Sequence, residues 1–390
     1  MTGTFDENTY SYPPQKLIVA IALGIFVALL ILSGQYGWRQ SVLFVIGVLL
    51  GITLYKSSFG FASAYRKLIL NRDGQGIYAQ LLMLSITTIL FAPLLSAGKI
   101  FGQELGGAIA PVGISGVIGA FIFGIGMQLG GACGCGTLYT IGSGNYTMII
   151  TLITFCLGSF CASISQDLWS GLPQIPPIVL GETIGWKNAV IVQLIIFFFL
   201  AIIVGIWTKN SPTSPKNSSW RDFLYNPWSI FTGGIILGLL NWLTLVISGQ
   251  PWRITWGFAL WMAKIAMFLG WNPSSSKFWD GDPALSSSVL ADTTSIMNLG
   301  LILGALLAAG LAGKLIPQTA TNPSTLLSKA VGGLIMGFGA FAAFGCNIGA
   351  FFSGIASTSL HGWLWIIFAL LGTFLIIKFT FPQTKLGAIK

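Results

Sequence analysis

The amino-acid sequence predicts an all-α membrane protein, a polytopic helical bundle of two pseudo-symmetric halves with broken or re-entrant helices. Three observations predict it: scarce charge, many apolar runs, and a glycine- and cysteine-rich segment that occurs twice. Of the 390 residues, 54% are apolar and only 7% are charged, whereas about a quarter of the residues of soluble domains are charged. The chain has too few charged residues to form a water-exposed surface all around an apolar core, so much of its surface has to face lipid.

Eleven apolar runs are candidate membrane helices, since about 20 helical residues cross a hydrocarbon layer about 30 Å thick. The clearest runs are residues 16–33, 78–96, 146–164, 188–207 and 361–379. Shorter or glycine-broken runs are residues 41–54, 112–129, 228–246, 255–269, 293–312 and 327–344. The sequence therefore predicts roughly ten or eleven membrane segments, some of them incomplete.

Polar segments divide the chain into two membrane halves, residues 16–207 and residues 228–380. The linker, residues 208–227, is rich in Ser, Pro and Asn, which is typical of an exposed connection. Residues 1–15 form a polar N-terminal tail without the basic start of a signal peptide. Residues 381–390 form a C-terminal tail, which we expect on the cytoplasmic side.

The net charge of +9 reflects basic residues in short loops, as on the inner face of membrane proteins. The expected surroundings are therefore a lipid bilayer and not nucleic acid. Positive charge at the mouths of a pore would also attract an anionic solute.

An internal repeat relates the halves. A shift of 213 positions, from Cys133 to Cys346, lays residues 117–136 on residues 330–349 without gaps, and six of the twenty positions are identical. A second copy precedes each, and in it Gly47/Gly51 correspond to Gly234/Gly238. Repeats of this kind are typical of secondary transporters, whose solute sites lie between the halves.

The glycine-rich stretches at residues 130–144 and 345–354 are poor helix formers, since glycine costs about 1 kcal/mol relative to alanine inside a helix. Unwound backbone in a membrane has to lie within protein or line a wet cavity. We expect broken or re-entrant helices whose free N–H groups favour an anion. The alternative, close helix packing through glycine, fits Gly47/Gly51 and Gly234/Gly238 better.

Cys133 and Cys346 are predicted where each helix breaks. A thiol is a soft, weak donor that suits a sulphur-bearing anion, although a buried cysteine is more often a small apolar residue. Cys135 forms a Cys-Gly-Cys pair with Cys133, without nearby His or carboxylate to complete a metal site. The remaining cysteines are expected in the core or facing lipid. Lys264 is a functional candidate or a snorkelling side chain, and His361 is predicted to be an interface residue.

At these residues the chain resembles the YeeE/YedE family, the sulphur-transport or thiosulfate-permease group. The resemblance rests on residues 130–136, 338–349 and 56–66 (KSSFGFASAYR). It implies an inner-membrane protein for thiosulfate uptake, with cysteines that pass the ion along an hourglass-shaped path through S–H···S contacts. Gly60 stands where the family usually has a cysteine, so one contact is missing or Cys135 replaces it. A related sulphur or selenium species thereby becomes a second candidate substrate.

The predicted function is thus a permease and not an enzyme, without cofactors or metals. Its partners are a small inorganic sulphur anion and a possible cytoplasmic sulphur-carrier protein. Less favoured alternatives are a membrane thiol oxidoreductase using Cys133 and Cys135, and a nonselective channel or metal permease. The predicted substrate-path residues are Cys133, Cys346, Cys135, Gly60, Gly131, Gly134, Gly136, Gly345, Asn347 and Gly349.

Overall fold

The computed structural model of the protein describes residues 13–208, 226–315 and 322–380. The predicted N-terminal tail, residues 1–15, and the predicted linker, residues 208–227, lie mostly outside the described residues. The predicted C-terminal tail, residues 381–390, lies wholly outside them. These boundaries remain predictions.

Helices dominate the described chain, because a helix satisfies its own backbone polar groups in lipid. The first-half helices are α1 (Lys16–Gly34), α2 (Trp38–Ser57), α3 (Phe61–Asn71), α4 (Gln75–Ala97), α5 (Ile114–Gly130), α6 (Gly134–Gly142), α7 (Met148–Ile164), α8 (Gln166–Ser170), α9 (Leu180–Thr183) and α10 (Trp186–Trp207). The second-half helices are α11 (Ile230–Ser248), α12 (Thr255–Phe268), α13 (Pro283–Ser286), α14 (Thr293–Leu311), α15 (Pro323–Ala342), a π-helix (Asn347–Phe352), α16 (Ser353–Ala356) and α17 (Leu360–Thr380).

Short strands and 3₁₀ turns occur only in the loops of the described residues. The antiparallel strand pairs are β1 (Lys99–Ile100) with β2 (Gln103–Glu104) and β3 (Val112–Gly113) with β4 (Gln174–Ile175). The 3₁₀ turns are Pro273–Ser275 and Val289–Ala291. The protein is therefore all-α in its membrane part.

Every predicted apolar run forms a helix whose ends lie within about one turn of the predicted ends. In the described part of the chain, 9 helical segments are long and apolar enough to cross a membrane. Two others, α7 and α12, are shorter, with 17 and 14 residues. The prediction of a polytopic all-α membrane protein is confirmed.

Turns with left-handed backbone interrupt the helices where the glycine-rich stretches predicted breaks. Gly131, with φ +89°, follows α5, and α6 begins three residues later. Phe344 and Gly345, with φ +60° and +151°, follow α15 and precede the π-helix. Similar turns separate α2 from α3 and α11 from α12, so each half holds two units of a long helix followed by a short one.

Glycines elsewhere on the long helices allow main chains to touch. Gly47 of α2 lies against the backbone of Met297 in α14, and its repeat counterpart Gly234 on α11 lies against Ala79 in α4. A side chain at either position would collide with main-chain atoms. The packing interpretation of these helix glycines is therefore confirmed.

The contacts of the second repeat unit are reciprocal. Gly124 of α5 lies against the backbone of Ala369 in α17, and its counterpart Gly337 of α15 lies against Phe155 in α7. The long helix α5 of the first half thus packs on α17, which follows the short helices of the second half. In the same way, α15 of the second half packs on α7, which follows the short helix α6 of the first half.

The long helices α5 and α15 also pack on each other in opposite directions. Gly119 of α5 meets Gly339 of α15, and Gly126 meets Gly332. In the repeat alignment, Gly119 corresponds to Gly332 and Gly126 to Gly339. Each glycine therefore meets the counterpart of the other, the pattern that an axis perpendicular to both helices produces.

Candidate substrate path

The N-termini of the four short helices meet in the centre of the molecule. A Cβ atom built on Gly134, the first residue of α6, would lie 3.7 Å from Cys346 Sγ and 3.5 Å from Ile254 Cγ2. Cys346 and Ile254 are the residues that precede the π-helix and α12. Phe61, the first residue of α3, has its backbone beside the Cys133 thiol. The positive ends of four helix dipoles therefore converge on one region.

Cys133 and Cys135 lie at the start of α6. Both are buried, and their sulphur atoms are 3.4 Å apart, as two free thiols. Gly136 leaves room for this arrangement, because a Cβ atom there would lie 3.4 Å from Cys133 Sγ and 3.0 Å from Ala132 Cβ. Cys133 is the N-cap residue, and its carbonyl accepts the first helical hydrogen bond, from Thr137 N, at 2.8 Å.

Cys346 has the equivalent position in the second half. It is the buried N-cap residue of the π-helix, and its carbonyl accepts from Ala350 N at 2.9 Å. The strained Gly345 before it is held by Trp365, whose Nε1 donates to the Gly345 carbonyl at 3.0 Å. The two thiols predicted at helix breaks are therefore brought together by tertiary structure, separated by Gly134.

A polar pair lies beside the thiols. Asn347, the first residue of the π-helix, is fully buried, and its Nδ2 lies 3.5 Å from the hydroxyl of buried Tyr65 on α3. Our sequence reasoning missed Tyr65. A signal was available, since it is a polar side chain in a short helix that follows a predicted break.

A cavity of about 380 Å³ opens on one side of the centre; we call it the Lys329 cavity. Its lining includes Arg66 of α3, Lys329 of α15, Gln128 and Gly131. Arg66 Nε donates to Gln128 Oε1 at 3.0 Å, whereas Lys329 Nζ contacts Met148 Sδ, a weak acceptor, at 2.9 Å. Two cations therefore face the turn that precedes Cys133.

A second cavity, of about 280 Å³, opens on the other side; we call it the Arg253 cavity. Its lining includes Arg253, His361, Gly345 and Gly349. His361 is only 5% exposed, and its Nδ1 lies 2.8 Å from Ser359 Oγ. His361 therefore packs within the protein, next to Gly354, and its predicted position at the membrane interface stays a prediction.

The predicted path glycines differ in their surroundings, and Gly60 is described separately below. Gly131 and Gly349 have open space around their Cα atoms and line the two cavities. Gly136 and Gly345 lie where a side chain would be crowded by neighbouring atoms, whereas a Cβ atom on Gly134 would make ordinary contacts of 3.5–3.7 Å, one of them with Cys346 Sγ.

Gly60 precedes α3, and a Cβ atom there would lie 3.7 Å from the hydroxyl of Tyr139 and 2.7 Å from Ser63 Oγ. It therefore belongs to the same central region. The hydroxyl of Tyr139, on α6, is a second group that our sequence reasoning missed.

Other sequence candidates lie elsewhere. Cys156 is buried on α7 and Cys161 is partly exposed, as expected of core or lipid-facing residues. Lys264 Nζ donates to the carbonyls of Leu285 and Ser287 at 2.8 and 2.6 Å, so it fastens the loop after α12. Among the described residues, no three His, Cys, Asp or Glu side chains form a metal-binding group.

Comparison with known proteins gives a consistent result. Residues 56–375 match the model of a family described as sulphur transport. The thiosulfate transporter TsuA of Spirochaeta thermophila is 28% identical over 344 residues, which cover 84% of this chain and 95% of that protein. The thiosulfate transporter TsuA of Escherichia coli K12 is 25% identical over 358 residues, 87% of this chain and 95% of that protein.

A partial match has a less specific name. The probable transporter YedE of Escherichia coli K12 is 30% identical over 166 residues, covering 42% of this chain and 41% of that protein.

Proposed function

The chain belongs to the sulphur-transport family, and on that premise we propose that it is a multi-pass permease for the uptake of thiosulfate or a similar small inorganic sulphur anion. Two relatives that align with most of the chain are named thiosulfate transporters. The names of these relatives agree with the prediction of a transporter rather than an enzyme. The finer points below, on the thiols, the symmetry, the orientation and the partners, belong to the same proposal.

The observation that carries the proposal is the position of two thiols between two cation-lined cavities. Cys133 lies two residues beyond Gly131 in the wall of the Lys329 cavity, and Cys346 follows Gly345 in the wall of the Arg253 cavity. The region between the cavities is closely packed around Gly134. This arrangement is an hourglass whose waist is closed.

Thiol hydrogen bonds would move the anion through the waist. A buried neutral thiol donates weakly to a sulphur anion, and transport needs release as much as binding. Helix N-termini add N–H groups and positive potential without a fixed ionic partner. An anion drawn in by Arg253 would pass from Cys346 to Cys133 and leave past Lys329.

The reciprocal glycine contacts support an inverted repeat. Gly119 with Gly339 and Gly126 with Gly332 are the contacts expected of two halves related by an axis in the membrane plane. Such halves can exchange conformations, so that the cavities would open alternately to the two sides. This packing favours alternating access over a permanently open channel.

Charge favours a cytoplasmic position for the Lys329 cavity. The described helix ends on that side carry Lys56, Arg66, Lys67, Arg72, Lys329 and Lys378 beside one acidic residue, Asp73, whereas the loops on the Arg253 side carry the basic residues Lys99, Lys187, Arg253 and Lys277 together with Glu104, Asp167, Glu182, Asp280, Asp282 and Asp292. Basic residues concentrate in cytoplasmic loops. We propose a cell inner-membrane location, inward release past Lys329, and a cytoplasmic sulphur-carrier protein as a receiver of the anion.

The substrate follows from the thiols and from Gly60. Gly60 lacks the family cysteine, and Cys135 supplies a third thiol 3.4 Å from Cys133 Sγ. We propose that Cys135 takes over the missing contact, and a selenium or other sulphur species is the alternative cargo. The close pair Cys133 and Cys135 also suits a thiol oxidoreductase, but Ile348 stands where a second such pair would need a cysteine.

The decisive experiment is uptake of labelled thiosulfate by proteoliposomes that contain the full chain, with sulfate, sulfite and selenium analogues as competitors. We expect saturable uptake that thiosulfate and selenium analogues inhibit and sulfate does not. Uptake indistinguishable from empty liposomes would contradict the proposal. Reduction or oxidation of a quinone by the protein, without uptake, would favour the oxidoreductase.

A further inference from the structure

A phenol and an amide from opposite halves of the chain face each other beside the thiols. Asn347 Nδ2 lies 3.5 Å from Tyr65 Oη, across 282 residues of sequence. This separation is at the long limit for a hydrogen bond. Relative exposure is 0% for Asn347 and 2% for Tyr65, so both polar groups are away from lipid and bulk water.

The pair has hydrogen-bonding capacity that the described residues do not use. Asn347 Oδ1 has no partner among them. Nδ2 carries two hydrogens, and its described contact is the long one to Tyr65. The hydroxyl of Tyr65 accepts in that contact, and no described group accepts its proton. Buried polar groups are normally satisfied, so the unused donor hydrogens of Tyr65 Oη and Asn347 Nδ2, and not the acceptor Oδ1, point to an anionic ligand.

The pair lies where a sulphur anion would be bound. Asn347 directly follows Cys346, and Tyr65 lies on α3, whose first residue, Phe61, has its backbone beside the Cys133 thiol. The thiols are soft groups, whereas the hydroxyl and the amide are hard donors. One small region therefore offers both kinds of donor.

We propose that Tyr65 and Asn347 form a clamp for the oxygen end of a sulphur oxyanion, while the thiols hold its terminal sulphur. This inference rests on the proposed function. Two donors 3.5 Å apart can both lie about 2.8 Å from one oxygen placed between them. The clamp distinguishes an anion with both terminal sulphur and oxygen from an anion with sulphur alone.

The internal repeat does not duplicate either donor of the clamp. The counterpart of Asn347 is Gly134, and the counterpart of Tyr65, counted from the start of each short helix, is Ala259. Glycine has no side chain and alanine has only a methyl group, so neither residue can donate a side-chain hydrogen bond. The anion is therefore bound in one preferred orientation although the thiols are duplicated.

The test measures labelled thiosulfate uptake by proteoliposomes of the full chain, with thiocyanate, a sulphur anion without oxygen, as the competitor. Tyr65→Phe removes only the hydroxyl, and we expect it to raise the thiosulfate concentration for half-maximal uptake about tenfold. Inhibition by thiocyanate stays within about twofold of wild type, since no oxygen contact is lost. Asn347→Ala has the same selective effect.

Tyr78→Phe is the matched control, because this hydroxyl faces Gly205 of α10 and not the centre. Size-exclusion profiles in detergent establish that each variant is folded. An unchanged half-maximal concentration in Tyr65→Phe, or an equal change for both anions, overturns the clamp and leaves the permease intact. A wild-type protein that carries no thiosulfate overturns the proposed function and the clamp with it.

Discussion

The two central breaks have the same plan and different details. In each, a turn with left-handed backbone precedes a cysteine that caps a short helix, Cys133 in one half and Cys346 in the other. The residues that follow differ: Gly134 and Cys135 in the first half, Asn347 and Ile348 in the second. The difference teaches that a cysteine at the N-cap position is the element common to both halves, and that its neighbours give the path two unlike faces.

The largest expected effect comes from removing the thiol of either N-cap cysteine. Cys133→Ala and Cys346→Ala each reduce labelled thiosulfate uptake to the level of empty liposomes, because the anion loses one of two consecutive soft contacts. Cys156→Ala, on α7 and outside the central region, serves as the control and retains uptake. Normal uptake by one of the two central variants would show that the breaks are not equivalent.

A substitution in the left-handed turn before Cys346 is expected to lower the stability of the protein. Gly345→Ala places a side chain at φ +151° and 2.7 Å from Ala350 N, which we expect to lower the free energy of unfolding by about 1–3 kcal/mol. Gly349→Ala, where a Cβ atom meets nothing within 4 Å, leaves it unchanged. Thermal unfolding in detergent measures both, and equal melting temperatures would contradict the difference between them.

The cations of the two cavities are expected to act on affinity. Arg253→Met and Lys329→Met remove charge from opposite mouths, and each raises the half-maximal thiosulfate concentration about tenfold. Lys277→Met is the control, because Lys277 pairs with Asp167 at the exposed surface. Uptake assays with each orientation of the protein in the liposome then show which cavity admits the anion.

The smallest expected effect concerns the missing family cysteine. Cys135→Ala lowers uptake severalfold, and adding Gly60→Cys to that variant restores part of it, since the new side chain meets the side-chain hydroxyl of Ser63, which can rotate away, and not main chain. Kinetics of the single and double variants check this. Full activity of Cys135→Ala would mean that Cys135 replaces nothing.

Local composition was enough to predict much of this protein. Membrane helices follow from runs of apolar residues, because lipid requires an apolar surface and internally satisfied backbone over a fixed length. The broken helices around Cys133 and Cys346 follow from glycine content, since glycine weakens a helix wherever it occurs. Both properties belong to short stretches of chain and need no knowledge of the neighbours.

Other features of the candidate site depend on residues far apart in the chain. His361 lines the Arg253 cavity together with residues from distant segments, among them Ala108 and Arg253. Tyr65 lies opposite Asn347, which is 282 residues away in the chain. Neither placement leaves a trace in local hydropathy.

The residues alone determined that the chain crosses a membrane, where its helices break, and which two cysteines correspond. Only the tertiary structure decided that those cysteines lie on either side of Gly134, that hard donors lie beside them, and that a cation-lined cavity lies next to the turn before each one. The reason is physical: hydropathy and glycine content act over one helix, whereas a site is made by side chains that packing brings together.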